Sequence, residues 1–342
     1  MSDLSTTYLG IPLKNPLVVG ASNLVTDISN LIKLEEEGAA AIVYKSLFEE
    51  QIQLESYAME EEQNLYEDWD AEHASIFPML GHAGPMEHLH KLKIVKDTLQ
   101  IPVIGSLNCV NEATWVEYAV KMAETGVDAL ELNFYANVID PEKSEEDIID
   151  EQLRVLKAVK EAVEIPISVK LSPFYTNAFR VVKKMEASGA DGFVLFNRLF
   201  QPDIDLEKEE HHYPYNFSSA VDSRIALRYA GLLHKQIHGT IVSNTGILNG
   251  SDALKMIMAG ADATQIVSAI YKRGTSHVGK MLRDMEEWMD IHGYKTLDEF
   301  KGKLAKVNMN DPFAYKRAQY VDILMKSEIF MQYHPKAGED IY

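Results

Sequence analysis

Two lysines stand at the ends of otherwise apolar runs: Lys45 in Val43-Tyr44-Lys45-Ser46 and Lys170 in Ser168-Val169-Lys170-Leu171-Ser172-Pro173. Lysine is rarely buried without a partner, so a lysine in an apolar strand either snorkels to the rim or serves a cavity. At the mouth of a site its charge can stabilise a phosphate, a substrate carboxylate or the negative charge of a reduced cofactor ring. A neutral Lys170 would instead be a Schiff-base nucleophile toward a carbonyl substrate. Asn133 (Glu131-Leu132-Asn133-Phe134) and Asn197 (Leu195-Phe196-Asn197-Arg198) end two further runs. Asparagine is depleted from strands, so two at matching depth either form turns or present amides to a polar heteroaromatic ring. The last two runs end in Ser243-Asn244-Thr245-Gly246-Ile247 and Gln265-Ile266-Val267-Ser268-Ala269. Gly246 lets backbone N–H groups approach an anion closely and the Ser268 hydroxyl can donate to it; the plainer alternative is a turn at Gly246 and nothing more.

These residues need elements that bring strand ends to one place. A short β-branched run, a polar loop and an amphipathic helical stretch recur along the chain. The predicted strands are 16–21, 41–46, 102–107, 129–134, 165–171, 192–197, 240–244 and 263–269. The predicted helices are 28–37, 112–125, 145–163, 177–188, 223–238, 251–259 and 277–291. The strands are nearly continuous in apolar residues, as in a parallel sheet covered on its outer face. Gly38, Gly126, Gly189 and Gly260 each stop a helix just before the next strand, which marks a repeated βα module. Eight modules fit a (β/α)8 TIM barrel; a doubly wound open sheet is the second choice. The whole of 1–342 reads as one barrel domain. It carries long insertions after strand 2 (about 49–90) and strand 6 (197–221), and a partly helical C-terminal extension (about 295–342) that packs on the barrel or on a second subunit. The first insertion is acidic and aromatic at its centre (Glu60, Glu61, Glu62, Tyr66, Trp69), and connections of this length serve as lids or interfaces.

Composition narrows the function. The 342 residues carry 33 Lys+Arg against 52 Asp+Glu, a formal net charge of −19, which argues against binding nucleic acid through a basic face. The single cysteine, Cys109, excludes a cysteine-ligated iron–sulfur or zinc centre within one chain, and no metal is expected. No apolar run approaches the ~18 residues that span a bilayer, and the first residues lack the basic start and apolar stretch of a signal peptide. The expectation is a cytoplasmic enzyme with a small-molecule substrate and no membrane or nucleic-acid partner.

Taken in order, the motifs resemble the dihydroorotate dehydrogenases. Gly10-Ile11-Pro12-Leu13-Lys14-Asn15-Pro16 through Ala21-Ser22 is similar to their G-x-x-x-x-N-P-x-x-x-A-S stretch, and Tyr44-Lys45-Ser46 to their T-K-S. Glu131-Leu132-Asn133, Val169-Lys170-Leu171-Ser172-Pro173, Gly189-Ala190-Asp191-Gly192 with Asn197, and Thr245-Gly246-Ile247 with Asp252-Ala253 and Ala259-Gly260-Ala261 follow in the family's order. The resemblance implies an FMN-bearing barrel that moves a hydride between a small ring substrate, dihydroorotate among the candidates, and flavin N5, in pyrimidine biosynthesis. It implies that Ala21, Ser22 and Lys45 line the flavin with Ser46 nearby, and that Asn133 and Lys170 contact its ring and ribityl chain. Gly246, Ile247, Val267 and Ser268 would hold the phosphate. Lys45, Asn137 and Asn197 would face the substrate. Relatives of this soluble type are commonly dimers, so a homodimer is implied.

The departures fall on the substrate side. The family's base is a cysteine or serine just after the strand 4 asparagine, whereas here the segment reads Asn133-Phe134-Tyr135-Ala136-Asn137-Val138. The substitutes are Tyr135, which needs a depressed pKa, Cys109 at the end of strand 3, and His82 in the first insertion, with Lys45 as the charged group in the same mouth. The family's N-S-M-G-x-x-N phrase after strand 2 has no counterpart, Val267-Ser268 replaces Gly-Thr or Gly-Ser, and Ser218-Ser219 replaces Ser-Gly. Two alternatives therefore stand: a flavin-binding barrel with lost or different activity, and a non-redox phosphate-binding barrel using Lys170.

Overall fold

The computed structural model describes residues 2–53, 84–135, 140–198, 202–212 and 217–325. Eight parallel strands form a closed ring: β1 (Leu17–Val19), β2 (Ala41–Val43), β3 (Val103–Asn108), β4 (Ala129–Asn133), β5 (Ile167–Leu171), β6 (Gly192–Leu195), β7 (Thr240–Asn244) and β8 (Ala263–Ile266). Each pairs with its successor in sequence, and β8 returns to β1 through Thr264↔Leu17. A doubly wound sheet would leave two open edges; this ring leaves none. The expected TIM barrel is the observed fold.

Helices follow the strands: α1 (Ile28–Glu36), α2 (Pro85–Thr98), α3 (Glu112–Glu124), α4 (Glu145–Ala162), α5 (Ala178–Ala187), α6 (Ser223–Leu233), α7 (Gly250–Ala259), α8 (Ser268–Arg273) and α9 (His277–His292). Asp27, Asn111, Asn177 and Asn249 accept backbone N–H bonds as N-caps, and Ser144 forms a capping box with Asp147. Such caps satisfy the N–H groups that a helix start leaves orphaned. All four glycine stops have positive φ, as the repeated module required.

Three departures have local causes. Helix α2 begins at Pro85, so the first insertion ends earlier than residue 90; lysines and histidines interrupt its apolar stripe of Leu89, Leu92 and Val95, which hid the helical period. β8 stops at Ile266 and Ser268 opens α8, so the run 263–269 is a strand followed by a helix. The second excursion contains an exposed antiparallel hairpin, Asp203–Asp205 with Glu210–His212. The acidic, aromatic centre of the first insertion lies outside the described residues.

Side chains alternate along each strand between the barrel interior and the helices. The lower interior is apolar: Val18, Ala41, Val43, Ile104, Ala129, Val194, Val242 and Ala263 pack with Tyr8, Leu9 and Leu13. Those last three come from an N-terminal hairpin, Thr6–Tyr8 with Ile11–Leu13, that closes the barrel bottom. One step higher the inward positions turn polar, with Ser106, Glu131, Ser168, Lys170 and Gln265 all buried. That change sets the floor of the site.

The bottom rim is held by a repeated carboxylate bracket. Asp128, just before β4, accepts the N–H of Val103 at 2.8 Å. Asp191, just before β6, accepts that of Ile167 at 2.8 Å, and Asp262, just before β8, that of Ile241 at 2.7 Å. Each also meets a lysine, respectively Lys96, Lys160 and Lys301. The start of the C-terminal extension lies on the barrel: Gly302 N–H donates to Ile257 O and Leu304 N–H to Met258 O, with Phe300 buried beside Trp288 and Tyr294.

Candidate active site

The carboxyl ends of the strands open into one cavity of about 1030 Å³. Ala21, Ser22, Lys45 and Ser46 from the first two strand ends line it, with Asn133 and Lys170 from β4 and β5. Gly246, Ile247, Val267 and Ser268 line its far side, and Asn197 and Tyr135 stand at the same mouth. Residues from all parts of the chain thus meet, because βα loops of a barrel all emerge on one face.

Lys170 is only 6% exposed. Its Nζ donates to Gln265 Oε1 at 3.2 Å and to Glu131 Oε1 at 3.5 Å, and Gln265 Nε2 donates to Glu131 Oε2. Lys45 differs: no carboxylate pairs with it among the described residues. Asn197 Nδ2 donates to Asn133 Oδ1 at 2.8 Å, so the two strand-end amides form one unit. Ser46 and Ser106 share a hydrogen bond of 2.7 Å between their hydroxyls.

The far side has the features of an anion seat. Thr245 and Gly246 both have φ of +74°, which turns the chain so that no described group accepts the N–H of Gly246 or Ile247. A Cβ at Gly246 would lie 2.5 Å from Ser223 N and 2.6 Å from Ser219 O, so only glycine permits this approach. Ser268 Oγ accepts the Ser218 N–H at 3.0 Å and Lys272 Nζ donates to Ser218 O at 2.7 Å. The Ser218-Ser219 segment therefore bridges the β7 and β8 loops, and the hydroxyl proton of Ser268 stays free to donate. Among the charged residues lining the cavity, Lys45, Lys170, Arg198 and Arg224 stand against Glu50 and Asp222, a cationic mouth on a strongly acidic chain.

Not every sequence candidate reaches this cavity. Cys109 is 7% exposed and packs in the layer between barrel and helices. Burial, reinforced by Glu49 and Glu50, pushes its thiol up, which opposes formation of a thiolate base. Tyr135 lines the cavity and is 41% exposed. Asn137 and His82 lie outside the described residues. Sequence reasoning passed over Glu131 and Gln265, although both stand at inward positions of strand runs. The signal was the alternation itself: Glu131 is two residues from Asn133 and Gln265 two from Ala263, each pair on one face. Arg198, Arg224 and Phe217 also line the cavity unforeseen, since loop approach cannot be read from spacing.

The described residues fit FMN. The Ser22 hydroxyl is buried without a hydrogen-bond partner among the described residues, the N–H groups at Gly246 and Ile247 suit a phosphate, and Lys170 and the asparagine amides suit the polar edge of a heteroaromatic ring. The comparisons with known proteins agree. The family model for dihydroorotate dehydrogenase matches residues 67–289. A dihydroorotate dehydrogenase B (NAD(+)) catalytic subunit of Thermoplasma volcanium is 30% identical over 316 residues, covering 90% of this chain and 100% of the relative. Proteins of the same name from Thermoplasma acidophilum and Methanocaldococcus jannaschii are 27% and 28% identical, over 88% and 87% of this chain and 99% and 97% of their own lengths. With FMN as cofactor and oxidoreduction of CH–CH bonds as chemistry, the chain belongs to the dihydroorotate dehydrogenase family.

Proposed function

We propose that the cavity oxidises dihydroorotate, or a ring of the same acidic type, using FMN as the hydride acceptor. The observation that carries this reading is the convergence of Ser22, Lys45, Asn133, Lys170, Gly246 and Ser268 on one cavity. Bound FMN supplies an atom that accepts a hydride; the protein's part is to hold the ring, seat the substrate and take the proton. Lys170 and the Asn133–Asn197 pair hold and read the polar edges of the two rings. Lys45, with no carboxylate of its own among the described residues, attracts the substrate carboxylate.

Tyr135 is proposed as the proton acceptor, since it follows β4 where the family places its base and its ring stands at the cavity mouth. A Schiff-base role for Lys170 is disfavoured, because an ammonium tied to Glu131 and Gln265 has no free electron pair for attack on a carbonyl. The relatives are named as catalytic subunits of NAD(+)-linked enzymes. With one cysteine, the chain holds no cysteine-ligated relay of its own, so electrons are proposed to leave through a partner protein or directly to a small acceptor. The chain is further proposed to work as a homodimer in the cytoplasm; no helix among the described residues is long and apolar enough to cross a membrane.

The test is anaerobic photometry of the FMN-loaded protein mixed with dihydroorotate. Bleaching of the flavin band is expected. An unchanged band would sink the substrate assignment while leaving the flavin site standing. Tyr135→Phe should slow the bleaching at least tenfold; a variant with the parent's rate would remove Tyr135 from the role.

A further inference from the structure

Glu131 is completely buried, lies in the barrel interior on β4 and is not among the residues lining the cavity. It is the carboxylate that pairs with Lys170 among the described residues. The pair rests on an apolar floor that includes Ala129, Val194, Val242 and Ala263. A charged group placed there survives only if it is paired and hydrogen-bonded. Gln265 completes the arrangement, its Oε1 accepting from Lys170 Nζ at 3.2 Å and its amide N–H donating to the second oxygen of Glu131. Gly20 leaves room for it, because a Cβ there would stand 3.3 Å from Gln265 Oε1 and 2.9 Å from Val267 Cγ2. Of the three groups, Lys170 and Gln265 reach the cavity and Glu131 stays behind them.

The geometry points to Glu131 and Gln265 as positioning residues that keep the Lys170 ammonium charged and fixed against the flavin ring, and so set the potential at which the bound cofactor accepts electrons. A lysine in a dry pocket without a counter-charge tends to give up its proton. A carboxylate behind it prevents that, and Gln265 ties both ends so that the ammonium cannot swing away. A cation held beside the ring favours the reduced, more negative form. Glu131 thus acts on the flavin only through Lys170.

The inference rests on the cavity holding FMN, and the two can fail separately. Protein that takes up no FMN overturns the flavin reading; protein that binds FMN allows the inference to be judged on its potential. The experiment is the flavin midpoint potential of the FMN-loaded full chain, measured photometrically against indicator dyes from pH 6 to 9, for the parent and for Glu131→Gln, Lys170→Gln and the double variant. Glu131→Gln should fall below the parent, because the ammonium is no longer tied against the ring. Lys170→Gln should fall at every pH, and the double variant should fall no further than Lys170→Gln. Equal potentials for parent and Glu131→Gln, a higher potential in Glu131→Gln, or full additivity in the double variant would each overturn the inference. If Glu131→Gln does not fold, Gln265→Met replaces it. A smaller fall in the same direction is then expected, and the parent's potential at every pH counts against the inference.

Discussion

Lys45 and Lys170 share a cavity, yet only Lys170 has a carboxylate behind it among the described residues. That difference is the basis for proposing different work for them, one at a substrate anion and the other at the cofactor ring. At Gly246 the demand is on the backbone: φ is +74° and an added Cβ would meet Ser219 O at 2.6 Å, so alanine is strained and obstructed. Gly246→Ala should weaken FMN binding at least tenfold in a fluorescence titration, while far-ultraviolet circular dichroism stays that of a barrel. His88 offers a pH test. Its ring sits edge-on to Tyr44 at 5.2 Å and is 8% exposed. Burial, with Lys45 and Lys91 adding to it, lowers its pKa from 6.5 to about 4. The unfolded chain therefore takes up a proton that the folded chain refuses, so stability present above pH 6.5 drains away as pH falls toward 4. The loss from this one group is about 3 kcal/mol at most. His88→Phe should flatten that slope in urea unfolding between these pH values; an unaltered slope would show that His88 is not its source.

The repeated unit of this fold is a strand, a helix and an acidic residue that ties the unit to its neighbour. Asp128, Asp191 and Asp262 each accept a strand N–H and meet a lysine. Without the carboxylate the N–H at a strand start is left unsatisfied, which costs more than the bond itself contributes. Asp191→Ala is expected to cost about 2 kcal/mol, with little from its partly exposed ion pair to Lys160. Since the bracket lies at the amino ends of the strands, FMN affinity and turnover should hold at the parent's level. Denaturant melts beside flavin titrations would check both halves, and lost FMN affinity at parental stability would contradict this division between rims. The motif was visible as the recurring Gly-Val-Asp and Gly-Ala-Asp phrases. There it marked helix stops; its function as a bracket depends on which N–H each aspartate reaches.

Closure of the barrel makes the molecule two-faced. The amino-terminal face is sealed by a hairpin whose Tyr8, Leu9 and Leu13 reach the interior and complete an apolar floor. The carboxyl-terminal face collects the polar residues that line the cavity proposed for FMN and substrate. Tyr8 is 1% exposed, and replacing a large buried ring by alanine costs about 3–5 kcal/mol. Tyr8→Ala should lower the melting temperature accordingly and loosen FMN binding as well, because the Glu131 carboxylate lies above this floor. A stability loss without any change in FMN affinity would show that floor and site are not mechanically linked.

The sequence by itself determined the repeat, the helix stops, the class of barrel and most of the strand-end residues that line the cavity. Those are consequences of local rules: apolar runs make strands, glycine ends helices, and a polar residue at a strand end is legible as soon as strand ends are known to converge. Only the tertiary structure decided how those residues are partnered. Cys109 and Asn108 are adjacent in sequence, yet Asn108 lines the cavity and Cys109 faces the helices, because alternation sends neighbours to opposite sides. Glu131, Lys170 and Gln265 come from strands 4, 5 and 8 and meet because the ring closes. No local pattern encodes such a meeting across the barrel axis, since it depends on the register of every strand between them.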